Sequence, residues 1–241
     1  MPELPDVEGF RAYFNATALH QPIRRVEVNT RKVLKGVRPK RLEHRLKGAA
    51  FDAAARHGKV LFAPLSKGGV VALHFGMTGL LDYARQPREA RDHDRVRFHF
   101  RNAATLAFVN QRLLGWIALA ESPEAFIEQE SLGPDALAIR EAAFRERLGA
   151  HRGALKSFLM NQKKLAGIGN ICADEILFQA RLHPKRKANA LQDKEARTLY
   201  RKMQTVLERL VDNQTRSRPI PRTYLGPHRK GDGRCPRCGE A

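Results

Sequence analysis

The hydrophobic pattern of this chain changes its period near residue 120, which limits the folds that are open to it. Before that point, short β-rich segments alternate with Gly and Pro, and Val96, Phe98 and Phe100 alternate strictly with basic residues. This alternation predicts a strand whose apolar residues face a core while the basic residues face outward. Many short strands at this spacing, after an opening helix that starts at Pro5, predict a sandwich or barrel.

After residue 120 the periodicity is helical. Ser122-Pro123-Glu124 combines a cap, a proline and an acid, which is typical of a helix start. An apolar stripe then predicts a long helix that begins near Asp193. We therefore predict an α+β fold in three parts: an N-terminal β-sandwich domain at residues 1–120, a helical domain at 121–214, and a linker with a small terminal module at 215–241.

The charge of the chain indicates a polyanionic partner. It has 44 Lys and Arg against 25 Asp and Glu, a formal net charge of +19 in 241 residues. Such an excess attracts nucleic acid and predicts binding that weakens steeply with salt. No apolar run approaches the ~20 residues needed to span a bilayer, and no secretory leader is evident. We therefore expect a cytoplasmic protein with no membrane partner.

The first residues suggest covalent amine catalysis. Removal of the initiator methionine would leave Pro2 as a free secondary amine, and an α-amino group titrates near pH ~8. Such an amine can attack an electrophilic sugar carbon and form an iminium ion, with the Glu3 carboxylate beside it. The simpler interpretation is that Pro2 and Pro5 only stiffen an N-terminal arm, and the rest of the chain has to decide between the two.

A second motif has two glycines, Gly167 and Gly169, just before a predicted helix. The exposed N–H groups of such a hairpin, with the helix N-terminus, can bind a phosphate. A plain interhelical turn is the commoner explanation. The basic residues upstream, among them Lys156, make a phosphate partner more plausible.

Taken together, these motifs resemble the formamidopyrimidine-DNA glycosylase/endonuclease VIII family of bifunctional base-excision repair enzymes. The matching segments are residues 1–8, 74–79, 132–134, 161–163, 166–175, 182–184 and 235–239. The resemblance implies a β-sandwich N-terminal domain, a helix-two-turn-helix C-terminal domain and a zinc finger, with double-stranded damaged DNA bound between the domains by a monomer.

The resemblance also implies catalytic roles. Pro2 would attack the sugar C1′ of a damaged nucleotide, expel the base and leave a Schiff base. Glu3 would protonate the sugar ring oxygen and then shuttle protons, and elimination on both sides would nick the strand. Lys59 matches a lysine that contacts phosphate near the sugar, although without the resemblance a solvated residue at a strand end is the simpler interpretation.

Other positions match residues that contact DNA once the lesion has left the stack. Met77 and Arg112 match side chains that fill the vacated space, although Met77 could also be ordinary core. Leu114 stands where the formamidopyrimidine branch usually has phenylalanine, which leaves the opposite-base preference open because leucine stacks less well. Four further positions match residues that touch phosphates or the flipped nucleotide: His74, His93, Lys156 and Asn170. Each of them could instead be an ordinary polar residue.

The zinc site implied by the family is incomplete. A structural Zn²⁺ takes four ligands in a closed tetrahedral shell. Only Cys235 and Cys238 form a Cys-x-x-Cys pair here, and Cys172 belongs to a predicted helix. We expect a truncated zinc finger whose second cysteine pair is missing.

The sequence says less about which class of damaged base is preferred. The Met-Pro-Glu-Leu-Pro start and Met77 favour oxidised purines of the 8-oxoguanine and formamidopyrimidine type over the oxidised pyrimidines of an endonuclease VIII-like enzyme. Residues 213–221 lack a Gly-rich lesion-capping segment, which leaves the pocket specificity open. The alternatives are a catalytically impaired damaged-DNA-binding protein and, ranked last, an RNA-associated protein.

Overall fold

The computed structural model describes residues 2–229 and 231–240. The contacts within the chain divide it into two units. The first unit contains Pro2 and residues 6–131, and the second contains residues 3–5 and the described residues from 132 onward. The first turn of the opening helix, α1 (Leu4–Thr17), therefore begins in the second unit, and the rest of α1 belongs to the first.

The first unit is a sandwich of two four-stranded antiparallel sheets. One sheet has the order β1-β6-β7-β5 and the other has the order β2-β3-β4-β8. The strands are β1 (Ile23–Val28), β2 (Ala55–His57), β3 (Val60–Pro64), β4 (Val70–His74), β5 (Gly79–Ala84), β6 (Asp94–Phe100), β7 (Thr105–Asn110) and β8 (Trp116–Ala120). Apolar residues of both sheets and of α1 form one core, with α2 (Pro39–Leu46) at its edge.

Strand β6 follows its predicted alternation on the core side only. Val96, Phe98 and Phe100 are at most 1% exposed and face the core. On the other side, Arg97 and His99 face away from this core, as the alternation predicts, but they are only 6% and 7% exposed. The Glu27 carboxylate on β1 lies 3.4 Å from the Arg97 guanidinium and 3.0 Å from His99 Nε2. These pairs keep the buried charges partnered.

A third helix, α3 (Pro123–Gln129), completes the first unit. The Ser122 hydroxyl accepts a hydrogen bond from the Ala125 N–H at 3.1 Å, which is the predicted cap. Phe126 packs edge-on against Phe62 of β3, with the ring centroids 5.6 Å apart. This contact holds α3 on the second sheet and within the first unit, whereas residues 121–214 were predicted to form the helical domain.

The second unit consists of α4 (Glu141–Gly149), α5 (Leu155–Met160), α6 (Asn170–Ala180) and α7 (Asp193–Arg216). Helix α7 begins at the predicted residue, behind a capping box formed by Gln192 and Glu195. Helix α6 is buried on most of its circumference, and residues of all four helices share its core. No helix in the described parts of the chain is long and apolar enough to cross a membrane.

The segment after α7 packs on α6. Tyr224 is 7% exposed, and the Leu225 N–H donates to the buried Glu175 carboxylate at 2.8 Å. The Thr223 carbonyl accepts from Gln179 at 3.0 Å. This part of the predicted linker is therefore an ordered segment fixed by its own hydrogen bonds.

Candidate active site

Glu3 is fixed at the N-terminus of α6. Glu3 is only 3% exposed. The carboxylate accepts hydrogen bonds from the N–H groups of Gly169 at 2.8 Å, Ile171 at 2.8 Å and Cys172 at 3.0 Å. These are the unpaired donors of a helix start, where a negative charge is also favoured by the helix dipole. The carboxylate that directly follows Pro2 is thus held in one position.

The two glycines of the Gly-x-Gly motif leave space for this arrangement. A Cβ at Gly169 would lie 2.4 Å from Glu3 Cδ, and one at Gly167 would lie 2.5 Å from Leu4 Cδ1. Gly167 also has φ +117°, a backbone conformation that residues with a side chain rarely adopt. The Leu4 N–H donates to the Gly167 carbonyl at 3.0 Å. Both glycines are therefore needed for the close approach of residues 3 and 4.

Gln162 organises the same loop, a role that the sequence analysis missed. Its Oε1 accepts from the Gly167 N–H at 2.9 Å, and its Nε2 donates to the Ile168 carbonyl at 2.8 Å. Gln162 lies in the matched segment 161–163, but a polar side chain five residues before a glycine pair is a weak signal for this contact. The amide fixes the loop that presents the α6 N-terminus to Glu3.

The loop amides are not arranged as the phosphate site that the sequence suggested. The N–H groups of Gly169, Ile171 and Cys172 donate to Glu3, and that of Gly167 donates to Gln162. A carboxylate of the chain itself therefore occupies the anion position at this helix start. The difference arises because Glu3 is distant in sequence and no local pattern reveals it.

Two predicted DNA contacts lie nearby in the second unit. Asn170, the first residue of α6, is exposed. Lys156 on α5 has its Nζ 2.6 Å from the Asp174 carboxylate, which the Arg229 guanidinium also contacts at 3.0 Å. The ammonium of Lys156 is thus oriented by an ion pair with α6.

In the first unit, Lys59 and His74 belong to neighbouring strands. Gly58 and Lys59 form the two-residue turn between β2 and β3, and Gly58 has φ +57°, as the first position of such a hairpin turn often requires. Val60 pairs with His74 across β3 and β4. The positive charge of Lys59 acts on His74 and lowers its pKa.

His74 is held as a neutral ring. Burial, followed by the charges of Lys59 and Lys35, lowers its pKa to about 4. Its Nδ1 accepts the Gly76 N–H at 3.2 Å, so the neutral ring carries its proton on Nε2 as a hydrogen-bond donor. The ring stacks on Trp116 at 5.3 Å between centroids with a 14° interplanar angle. Trp116, like Gln162, was not identified from the sequence.

Met77, Arg112 and Leu114 come together on two adjoining loops. Met77 is 40% and Leu114 is 52% exposed, so Met77 is not an ordinary core residue. The Arg112 N–H donates to the Thr78 hydroxyl at 3.1 Å. A Cβ at Gly76 would lie 2.4 Å from the backbone of the other loop, which explains why glycine is needed there. The loops present apolar side chains and a cation to solvent.

His93 stands just before β6. Its carbonyl accepts the Asn110 N–H at 2.9 Å, and its Nδ1 lies 3.2 Å from Arg95 Nη2. The Arg95 guanidinium also donates to the Asn110 carbonyl at 2.8 Å. His93 is therefore attached to the end of β7.

Cys235 and Cys238 form a tight turn. The Cys235 N–H donates to the Glu240 carbonyl at 2.7 Å, and the Gly239 N–H donates to the Cys235 carbonyl at 2.9 Å. Backbone hydrogen bonds from Cys238 and Arg237 lower the pKa of the Cys235 thiol. Within residues 2–229 and 231–240, no group of three or more His, Cys, Asp or Glu side chains could hold a metal ion. These two thiols alone do not provide the four-ligand shell of a structural zinc.

The fold agrees with the comparisons to known proteins. Residues 1–117 match the family model of the formamidopyrimidine-DNA glycosylase N-terminal domain, and residues 132–219 match that of its H2TH domain. The formamidopyrimidine-DNA glycosylase of Moorella thermoacetica is 33% identical over 257 residues, which cover 100% of this chain and 93% of that protein.

Solved structures show the same fold. A Lactococcus lactis formamidopyrimidine-DNA glycosylase bound non-covalently to DNA with an abasic site has a TM-score of 0.86 at 22% identity, covering 99% of this chain and 92% of that one. A structure of MutM in complex with DNA containing carbocyclic 8-oxoguanine has a TM-score of 0.82 at 25% identity, covering 88% and 80%. The chain belongs to the formamidopyrimidine-DNA glycosylase family. The predicted family, the α+β fold class and the prediction of a DNA repair enzyme are thereby confirmed.

Proposed function

We propose that this enzyme is a bifunctional DNA glycosylase and abasic-site lyase that acts as a monomer on double-stranded DNA in the cytoplasm. Its preferred lesions are oxidised purines of the 8-oxoguanine and formamidopyrimidine type. The observation that carries the proposal is the carboxylate of Glu3, which three backbone N–H groups hold beside Pro2. Because Pro2 is bonded to this fixed residue, its amine loses little conformational entropy when it attacks.

The covalent step begins at the amine of Pro2. After removal of the initiator methionine, its lone pair forms a bond to C1′, and the bond from C1′ to the base breaks with its electron pair leaving on the base, which takes up a proton. The amine proton of Pro2 passes to the Glu3 carboxylate, which then gives it to the sugar ring oxygen; the ring opens, and a Schiff base remains between Pro2 and C1′. Loss of the C2′ proton expels the 3′ phosphate, and a second elimination expels the 5′ phosphate. Hydrolysis of the Schiff base then returns the free amine.

His74 and Lys59 suit the phosphates beside the lesion. A neutral His74 donates from Nε2, and the positive charge of Lys59 already acts on that ring. Because the pKa of His74 is about 4, this donor does not change over the neutral range. Lys156, Asn170 and His93 are proposed as further contacts to the strand.

Met77, Arg112 and Leu114 are proposed to fill the space of the extruded nucleotide. Extrusion costs a few kcal/mol of stacking, and an inserted apolar side chain offsets part of it. Exposure of 40% for Met77 and 52% for Leu114 makes both side chains available for insertion.

Borohydride trapping tests the nucleophile. The purified full chain is incubated with a duplex that contains one abasic site, and borohydride reduces the Schiff base to a stable protein–DNA adduct. We expect an adduct whose peptide map places the DNA on Pro2. Pro2→Gly should weaken trapping strongly, and Glu3→Gln should suppress base release more than duplex binding. Pro5→Ala is the matched control because it removes a proline from the same arm and leaves the amine intact. Wild-type trapping by Pro2→Gly would refute the assignment.

A catalytically impaired damaged-DNA-binding protein is the second candidate. It is favoured by the net charge of +19, which attracts DNA whether or not Pro2 reacts. The same experiment separates the two, because this candidate predicts binding of abasic-site duplex by fluorescence anisotropy without any trapped adduct. Base release from duplexes with 8-oxoguanine or an oxidised pyrimidine then distinguishes the proposed substrate class from an endonuclease VIII-like one.

A further inference from the structure

A second basic site lies in the first unit, on the side of sheet β1-β6-β7-β5 that carries Arg97 and His99. A pocket there is lined by five arginines: Arg24, Arg25, Arg88, Arg97 and Arg101. No acidic side chain is among its lining residues. Apart from these arginines it is lined by small, aromatic and uncharged polar groups, and it contains none of the residues proposed for catalysis or lesion extrusion.

The charges around this arginine pocket do not balance. The carboxylates of Asp82 and Asp94 lie 2.9 Å and 2.6 Å from the Arg88 guanidinium. Arg25 and Arg97 share Glu27, each at 3.4 Å. Five arginines therefore meet three carboxylates.

Arg24 and Arg101 account for the excess. Neither guanidinium forms an ion pair or a side-chain hydrogen bond with any residue that the structure describes. Arg24 is on β1 and Arg101 is at the tip of the hairpin between β6 and β7, where its N–H donates to the Pro22 carbonyl at 2.9 Å. The pocket thus carries two positive charges that the protein leaves uncompensated.

Two buried donors in the pocket residues also lack acceptors. Within the described chain, neither Arg88 Nε nor Arg97 Nε has a hydrogen-bond partner. Arg97 is only 6% exposed. Both atoms are closed off from solvent, so the donors available to a ligand in the pocket are those of the exposed Arg24 and Arg101.

We propose that this arginine pocket binds a phosphoryl group. Guanidinium groups are planar forks that match the oxygens of phosphate in pairs, and two uncompensated positive charges match one phosphate dianion. A phosphate also has enough acceptor oxygens for several donors at once. The phosphoryl group comes either from free phosphate or from the backbone of a DNA strand, and the two sources are separable by experiment.

The first arm of the test measures free phosphate. The full chain is titrated with inorganic phosphate in a calorimeter, against chloride at matched ionic strength, and its melting temperature is followed in parallel. A ligand that binds only the folded state raises that temperature. We expect saturable binding that Arg24→Gln with Arg101→Gln weakens at least 10-fold.

The matched control changes the same charge elsewhere in the first unit. Lys40 and Arg41 are exposed on α2, and Lys40→Gln with Arg41→Gln should leave phosphate binding unchanged. Because Arg24 and Arg101 have no ion pairs among the described residues, their replacement should leave the circular dichroism melt without phosphate unchanged. Trapping on a short abasic duplex should also be unchanged, which separates failure of this proposal from failure of the proposed function.

The second arm measures DNA. Binding of undamaged duplexes of about 12 and about 30 base pairs is recorded against salt, because each phosphate contact contributes about 0.9 to the slope of log K against log salt. If the phosphoryl group belongs to DNA, the arginine pair variant lowers that slope by about 1 to 2 on the long duplex only. If it is free phosphate, only the first arm responds. Equal behaviour of the arginine pair variant and the control in both arms would overturn the proposal.

Discussion

Gly169→Ala should damage the enzyme through a single collision. The backbone at Gly169 has φ −117° and ψ −160°, an extended conformation that alanine adopts freely. The added Cβ would meet Glu3 Cδ at 2.4 Å, Oε1 at 2.5 Å and Cγ at 2.7 Å. The side chain of Glu3 therefore has to leave its position at the start of α6.

The cost follows from the contacts that Glu3 loses. Three hydrogen bonds to its carboxylate are broken, and bonds to a charged group contribute about 1.5–3 kcal/mol each. Because water can reach part of the freed helix start, we expect a net loss of about 2–4 kcal/mol in the free energy of unfolding. For a chain of this size, that lowers the melting temperature by about 5–15 °C.

A double-mutant cycle checks this reasoning. Glu3→Ala removes all three atoms that the new Cβ would meet, so Gly169→Ala should cost less than about 0.5 kcal/mol in that background. Urea unfolding gives the four free energies, and borohydride trapping of the Gly169→Ala variant should be strongly reduced. Costs that simply add, with no coupling between positions 3 and 169, would show that the carboxylate does not stabilise the helix start.

Other outcomes follow from the geometry of the two units. The pKa of His74 is about 4 in the folded chain and about 6.5 when unfolded, so the unfolded state takes up a proton first as the pH falls. The free energy of unfolding is therefore highest above pH 6.5 and decreases toward pH 4. His74→Gln should reduce this pH dependence, measured by urea unfolding. Met77→Ala should change stability by less than about 0.5 kcal/mol, because the side chain is 40% exposed, yet slow base release in a single-turnover assay. Lys156→Gln should lower the salt slope of duplex binding by about 1, and an unchanged slope would remove Lys156 from the interface.

Much of the fold could be predicted because it rests on local periodicity. The core side of β6 and the start of α7 at Asp193 both follow from repeating apolar residues. The boundary between the parts was harder to place. A cap at Ser122 identifies a helix but not the sheet on which it packs, and only the contact between Phe126 and Phe62 assigns that helix to the first unit.

The contacts of the candidate site could not be predicted from the sequence. Glu3 was identified from the N-terminal motif, yet its partners at Gly169 and Cys172 lie more than 160 positions away and have no local signature. Likewise, alternation placed Arg97 outside the core, and its burial depends on Glu27, which is 70 positions away. Such long-range pairing of charges leaves no periodic trace in a sequence.

The bond between Glu3 and the amide of Gly169 joins the beginning of the chain to a stretch made 166 residues later. On the ribosome, where synthesis proceeds at roughly 5–20 residues per second, this acid emerges long before helix α6 exists. Sandwich strands can assemble meanwhile, but the hydrogen bonds to Glu3 must wait until translation is well into the second half of the message. Any chemistry that needs the Glu3 carboxylate in this position can therefore begin only late in biogenesis.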